Sequence, residues 1–278
     1  MLARLFPPTM TKGFRRMGRG IEERYRRCNR WWEPHLRCSR DFISRYLPSE
    51  GRLAVLGAGR LLDIDLLQPR IRGLEVHLFD ADPACLPAWR DFFANDLGRN
   101  VHPHIADITN CLSEWSGGLR RGVKKIGLES YLDSCRAPIP RWSRERFDMI
   151  ISLNVLGQLP LYWRDHVREC CGELNDQEED ALLRSMARLQ EQHVAGLKSS
   201  PAARILALFD SEYYFYQSSQ SEWRVEESLF GDSHAEISSC DLGRVLVAQE
   251  SWLWHLAPQF VEHDDEGEIH RVEARIWG

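Results

Sequence analysis

The sequence predicts an α/β protein: a mostly parallel sheet with helices on both faces, a C-terminal antiparallel hairpin, and helices ahead of the sheet at the N-terminus. Three observations carry this. From about residue 51, short apolar runs alternate with stretches of helical period, and strands alternating with helices imply parallel pairing. The last two β-type runs are joined by the acidic turn "EHDDEGE" with no helix between them, so they pair antiparallel. Residues 21–46 instead repeat apolar side chains at three- and four-residue steps, the helical period.

The elements follow in order. Residues 1–20 carry Pro7, Pro8 and several glycines and are expected to be a flexible tail. Residues 21–48 form a helical lid, which Pro34 should split in two, because proline removes a backbone donor and clashes with the preceding turn. The domain proper spans 49–278. "RLAVLGAG" is a buried strand ending in a glycine turn, "RLLDIDLLQPRI" suits a short helix, and "LEVHLFDAD" is a second strand ending in acids. "PACLPAWRDFFANDLG" is a helix with a glycine stop, and "VHPHIADIT" is the third strand. Residues 112–146, with Gly117, Gly118, Pro138 and Pro140, form an elaborated connection. "FDMIISLNVL" is a strand covered on both faces, judging by its apolar centre. The stretch from Leu161 to Ser199 divides into two helices, the second starting near Asn175 or Asp176, and "ARILALFDSEYY" is the fifth strand. "GRVLVAQESWLWHLAP" and "EIHRVEARIWG" make the hairpin, with Trp252 and Trp254 on one face and His255 on the other.

Composition excludes a disordered or fibrous chain: 43% of residues are hydrophobic and 28% charged. No apolar run approaches the roughly 18 residues that cross a bilayer, and the basic start is not followed by a signal-type apolar core. The eight cysteines include no C-x-x-C pair, which leaves reduced thiols and a cytoplasmic location as the expectation, with no metal site. Charge is uneven. Residues 1–47 hold twelve Lys/Arg against four Asp/Glu, and residues 201–278 hold five against fifteen. Such asymmetry suits a basic arm for nucleic acid or anionic lipid. The plainer expectation is a basic N-terminal helix packed near an acidic C-terminal surface.

Candidate site residues sit at strand ends, on the edge where open α/β sheets bind ligands. Gly57 and Gly59 let the backbone approach a ligand with its amides facing it. Leu62 stands where a dinucleotide fingerprint has its third glycine, and no Gly-Lys-Ser/Thr ending makes a phosphate loop. Asp80, twenty-three residues after Gly57, can accept both hydroxyls of a ribose, and Asp107 can accept from an adenine amino group. Each of these acids could equally cap a turn.

With those strand ends in place, the sequence resembles the class I S-adenosylmethionine-dependent methyltransferases, which have a Rossmann-like fold, over roughly Arg52 to Gly278. The resemblance implies that Gly57, Ala58 and Gly59 lie beneath the methionine moiety of S-adenosylmethionine. It makes Asp80 the ribose acid, Asp107 the adenine acid, and "FDMIISLNVLGQLP", with Asn154, the motif facing the methyl group. Val55 replaces the acid usual two residues before the first glycine, and Leu61 replaces the usual third glycine.

The acceptor side is read from the remaining strand ends. Asn154, Asp210 and His35 are the candidates for catalysis, and Gln158, Tyr213 and Trp32 for acceptor contact. Asn154 and Gln158 suit turn and cap formation equally well. The expected activity is methyl transfer to a small-molecule or peptide-like acceptor. Two alternatives are a catalytically silent methyltransferase-like binding module, motivated by Val55 and Leu61, and a nucleic-acid methyltransferase using the basic helices. Net charge of −5 and the lack of an N-P-P-Y/F motif weigh against nucleic acid. The missing fingerprint glycine and the final hairpin weigh against an NAD-dependent oxidoreductase.

Overall fold

A computed structural model describes residues 8–64, 73–93, 99–218, 223–227 and 242–278. The strands are β1 (Gly51–Leu56), β2 (Leu74–Asp80), β3 (Val101–Ile105), β4 (Met149–Leu153), β5 (Arg204–Tyr216), β6 (Trp223–Glu227), β7 (Leu246–Ala257) and β8 (Gly267–Trp277). The helices are α1 (Pro8–Tyr46), α2 (Cys85–Phe93), α3 (Leu112–Ile126), α4 (Leu128–Ser134), α5 (Val155–Cys171) and α6 (Asp176–Ser199). The main path of the sheet runs β3-β2-β1-β4-β5-β8-β7. Its first five strands are mutually parallel, and β8 is antiparallel to both β5 and β7. The alternating pattern, the buried centre of β4 and the terminal hairpin are thus as the sequence predicts. β6, paired antiparallel with the outer half of β5, is an addition.

Period-two alternation divides the sheet between two cores. Leu53 and Val55 of β1 join Phe42 and Ile43 of α1 and Trp89 of α2. Ala54 and Leu56 join the opposite core, built with α3 to α6. Val55, where the family resemblance calls for an acid, is wholly buried among hydrophobic side chains. Residues 112–146 fold as α3, α4 and a 3-10 turn, Arg141–Arg144. α6 starts as expected at Asn175, whose side chain accepts from the Glu178 amide while the Glu178 carboxylate accepts from the Asn175 amide.

The N-terminus differs from expectation. Residues 8–20, expected as a tail, are helical, so the N-terminal helix begins at Pro8 rather than residue 21, and α1 continues through Pro34 as one helix of 39 residues. Residues 1–7 lie outside the described residues. Proline inside a helix costs about 3 kcal/mol. Against this, Cys28 and Trp32 before it, and Leu36, Phe42 and Ile43 after it, are all buried, each apolar burial being worth about 1.5–3 kcal/mol. At the start of α1, Phe14 stacks on Tyr162 at 4.1 Å between centroids, and Arg16 makes a two-pronged hydrogen bond to Glu169.

The expected helix after the glycine turn is also absent where the chain is described: residues 60–64 form turn and bend. Leu61 and Ile64 are buried there, and the positive φ of Leu61 (61°) is incompatible with a right-handed helix. The rest of that stretch, 65–72, lies outside the described residues. The basic helix meets acidic C-terminal residues, as the plainer charge reading expects. Arg24 and Arg27 share Glu262, and Arg45 pairs with Glu250. No helix among the described residues is long and apolar enough to cross a membrane.

Candidate active site

β1 ends in a turn fixed by backbone hydrogen bonds. The amides of Gly57 and Ala58 both donate to the Phe79 carbonyl, at 3.0 and 3.1 Å, tying the turn to the end of β2. Gly57 has φ +73°, and a Cβ there would lie 2.7 Å from both the Leu153 carbonyl oxygen and Val155 Cγ2, so the position admits only glycine. The Gly59 amide donates to Asp80 Oδ2 at 2.8 Å, and the Asp82 amide donates to Asp80 Oδ1 at 2.8 Å. Each oxygen keeps a further lone pair. Burial raises the Asp80 pKa, and the two amides work against that rise.

These groups wall a cavity of about 110 Å³ containing Gly57, Ala58, Gly59, Asp80, Asp82 and Asn154. α1 closes it with Phe14, Met17, Gly18 and Ile21, residues expected in part as a tail. Gly18 packs so closely that a Cβ would meet Asp82 Oδ2 at 2.2 Å. Asp82 Oδ2 and Asn154 Oδ1 are both buried without a hydrogen-bond partner. Asp107 does not line this cavity. Its carboxylate accepts from the Thr109 amide and hydroxyl and from the Ser113 amide, capping the start of α3. The adenine role implied for it therefore gives way, in this structure, to the capping role that the sequence also allows.

A second cavity, of about 440 Å³, shares Met17, Ile21, Leu62, Asp63, Asn154 and Gln158 with the first. That volume is within the roughly 300–1,000 Å³ of small-molecule sites. It extends over β5, β7 and β8, where a β-bulge decides which side chains face it. The register of β5 against β8 shifts between Asp210 and Glu212. One extra residue inverts the alternation beyond it, so Asp210, Tyr213 and Phe215 all line the cavity. From β8, Glu268 and His270 join them.

His270 lies between two carboxylates: Nε2 is 2.8 Å from Glu268 Oε1, and Nδ1 approaches Asp210 Oδ2 at 3.1 Å, an ion-pair contact rather than an aligned hydrogen bond. Burial opposes charge on this imidazole, but Asp210 and Glu268 outweigh it and hold the pKa up at about 9. Burial raises the Tyr213 phenol above its ordinary value, keeping it protonated.

Of the sequence-predicted residues, Asn154, Gln158, Asp210, Tyr213, Trp32 and His35 all line the second cavity. Asn154 adopts a left-handed conformation (φ 52°) at the junction of β4 and α5, which asparagine tolerates better than most residues. His35 has both nitrogens engaged. The Trp252 indole N–H, which can only donate, gives its hydrogen to Nδ1, leaving Nε2 to donate to Asp63 Oδ1, both at 2.9 Å. Trp32 donates through its indole to the Leu256 carbonyl and packs edge-on to Trp254. His255, on the opposite face as expected, contacts the Tyr216 hydroxyl at 2.7 Å.

His270, Glu268 and Asp82 were not among the sequence candidates. The spacing Glu268-x-His270-x-Val272 places all three on one strand face, a signal that could have found the first two. Elsewhere, Glu75 and His77 of β2 and His102 of the neighbouring β3 come within metal-ligand reach of one another. Arg52 already takes the cation's place there: its Nη2 is 3.2 Å from His77 Nε2, and its Nε is 3.4 Å from Glu75 Oε2.

The sheet order and the terminal antiparallel strand make this a Rossmann-like fold of the class I methyltransferase type. No protein-family model matches the chain, and no curated protein matches it either. Among solved structures, it is similar to a candidate RNA methyltransferase from Pyrococcus horikoshii (11% identity, TM-score 0.38, 82% of this chain and 74% of that one). It is similar also to TehB from Haemophilus influenzae (10% identity, TM-score 0.39, 85% and 60%). A third is the precorrin-6y C5,15-methyltransferase from Geobacter metallireducens (12% identity, TM-score 0.32, 84% and 82%). At such identities and TM-scores, substrate and site have to be argued from this chain's own geometry.

Proposed function

We propose that this chain is an S-adenosylmethionine-dependent methyltransferase acting on a small-molecule or peptide-like acceptor. The supporting observation is the pair of cavities that meet at Asn154 and Gln158 on the carboxyl edge of the sheet. S-adenosylmethionine supplies an activated methyl group on a sulfonium, and the protein has to place an acceptor beside it and exclude water. Asp80 and Asp82 fit the ribose hydroxyls, since both offer acceptor lone pairs and Asp82 Oδ2 lacks a donor. Gly57 and Gly59 keep the turn low beneath the ligand. Asn154 orients the acceptor from the shared wall, and Asp210 faces it from β5. His35, with both nitrogens engaged, acts as a positioning residue that holds Asp63. Phe14, Met17 and Ile21 shut out solvent.

One observation favours the second reading, a catalytically silent binding module. The first cavity, at about 110 Å³, is smaller than the roughly 300 Å³ at the lower end of ligand sites. Its missing volume is taken by α1. Calorimetry with S-adenosylmethionine, S-adenosylhomocysteine and NAD separates the two readings, with Asp80→Ala as the control. The expected result is binding of both adenosyl compounds, lost in Asp80→Ala, and none of NAD. No adenosyl binding to the intact chain would overturn the enzyme reading.

A further inference from the structure

The second cavity has a chemical bias of its own. Asp210 is 8% exposed and Asn154 5%, and each has an Oδ1 atom buried with no hydrogen-bond partner. Both oxygens only accept, and a buried acceptor left unpaired is costly. Both residues line this cavity, and the first turn of α5 lies against Asp210: at Gly157, a Cβ would be 3.8 Å from Asp210 Oδ2 and 3.8 Å from the Tyr213 hydroxyl oxygen.

The other charged groups of the cavity have partners. Arg24 holds Glu262 at 2.9 Å, Arg164 holds Asp165 at 3.0 Å, and Asp63 receives His35 at 2.9 Å. Asp210 and Glu268 share the one imidazolium of His270. The remaining wall is apolar, part aliphatic and part aromatic, with Trp32, Trp254, Tyr213 and Phe215, and aromatic faces attract cations; the Trp254 indole N–H on it is also buried without a partner.

We propose that this cavity binds an organic amine, its nitrogen donating to Asp210 Oδ1 and Asn154 Oδ1 and its carbon frame lying against the aromatic wall. A hydroxyl has one hydrogen and can satisfy only one of the two oxygens. An amine nitrogen carries enough hydrogens to satisfy both. This rests on the proposed function only in treating the cavity as the acceptor's place.

The test is calorimetry on the full chain, without any adenosyl compound, using two frame-matched series. The first is phenethylamine, 2-phenylethanol and phenylacetate, and the second is hexylamine, hexanol and hexanoate. Amine binding at least tenfold tighter than the alcohol, with no binding of the acid, is expected. Asp210→Asn should bring amine and alcohol to within about threefold of one another. Gly157→Ala, whose added methyl meets its neighbours at ordinary contact distance, keeps Asp210 intact and should weaken the amine about tenfold. Alcohol or acid binding as well as amine, amine binding unmoved by both variants, or no amine binding up to millimolar concentration would each overturn the proposal. A parallel titration with S-adenosylhomocysteine reports on the cofactor reading separately, because Asp210 does not line the first cavity.

Discussion

The two cavities share a wall but are built in different ways. The first is founded on a backbone turn, Gly57–Gly59, pinned to Phe79 and held by Asp80, with α1 and the start of α5 completing its wall. The second is made by side chains from distant strands, which meet only because β5 carries a bulge and β8 runs against it. A site of the first kind is robust to distant changes and brittle at its glycines. A site of the second kind depends on register, since a one-residue slip exchanges the faces of a strand.

Asp80→Ala should give the largest contrast. S-adenosylhomocysteine binding is expected to fall at least 100-fold, about 2.8 kcal/mol, while phenethylamine binding stays within about twofold; parallel calorimetry measures both. Equal losses of both ligands would mean that the cavities are one unit. Next comes Gly57→Ala, with a 2.7 Å approach and φ +73°. Left-handed backbone and overpacking together cost about 2–4 kcal/mol, read as a melting-temperature drop of roughly 2–4 °C per kcal/mol. One residue inserted after Ser211 should turn Tyr213 and Phe215 away from the second cavity. The expected cost is at least tenfold in amine affinity, about 1.4 kcal/mol, with S-adenosylhomocysteine affinity unchanged. Deleting Ser211 should spare the amine, because Asp210 and Tyr213 then share a face by simple alternation.

Smaller effects remain. Leu61→Gly relieves a left-handed leucine, worth about 1–2 kcal/mol, and loses its burial, worth about 1.5–3 kcal/mol. A net loss near 1 kcal/mol by denaturant melt is expected. The smallest effect at neutral pH belongs to His193, which is buried against Ser152 at 2.9 Å. Burial lowers its pKa to about 3, below the unfolded value of about 6.5. The unfolded chain therefore takes up the proton first as pH falls. This contribution to stability is complete above about pH 6.5 and is lost between there and about pH 3. His193→Gln should leave stability at pH 7 nearly unchanged and make the acid loss shallower, followed by circular dichroism from pH 7 to pH 4.

What could be read from the sequence follows the same division. Gly57, Gly59 and Asp80 were legible because their chemistry is local: a turn, then an acid one strand later. Asn154 was legible as a strand end; Asp210 was read as one too, but β5 continues past it to Tyr216 and it sits at the bulge. His270 and Glu268 were not, because nothing in "EIHRVEARIWG" says which face of β8 looks across at β5; that depends on the bulge. Asp107 misled because a carboxylate at a strand end can serve a ligand or a helix start with equal chemistry, and here three local donors reach it first. α1 was misjudged at both ends of the argument. Proline and glycine are weak vetoes when a helix has buried partners on both sides of them.

α1 also ties two properties together. Its C-terminal third is structural timber, with Phe42 and Ile43 set into the sheet's core. Its N-terminal third is the shutter over the first cavity. A 39-residue helix is roughly 58 Å long, so widening that cavity on the α1 side means moving a lever whose far end is built into the foundations, or letting it give at Pro34, where the ladder already lacks a rung. Entry of a ligand there and firmness of the core are thereby written into the same piece of chain.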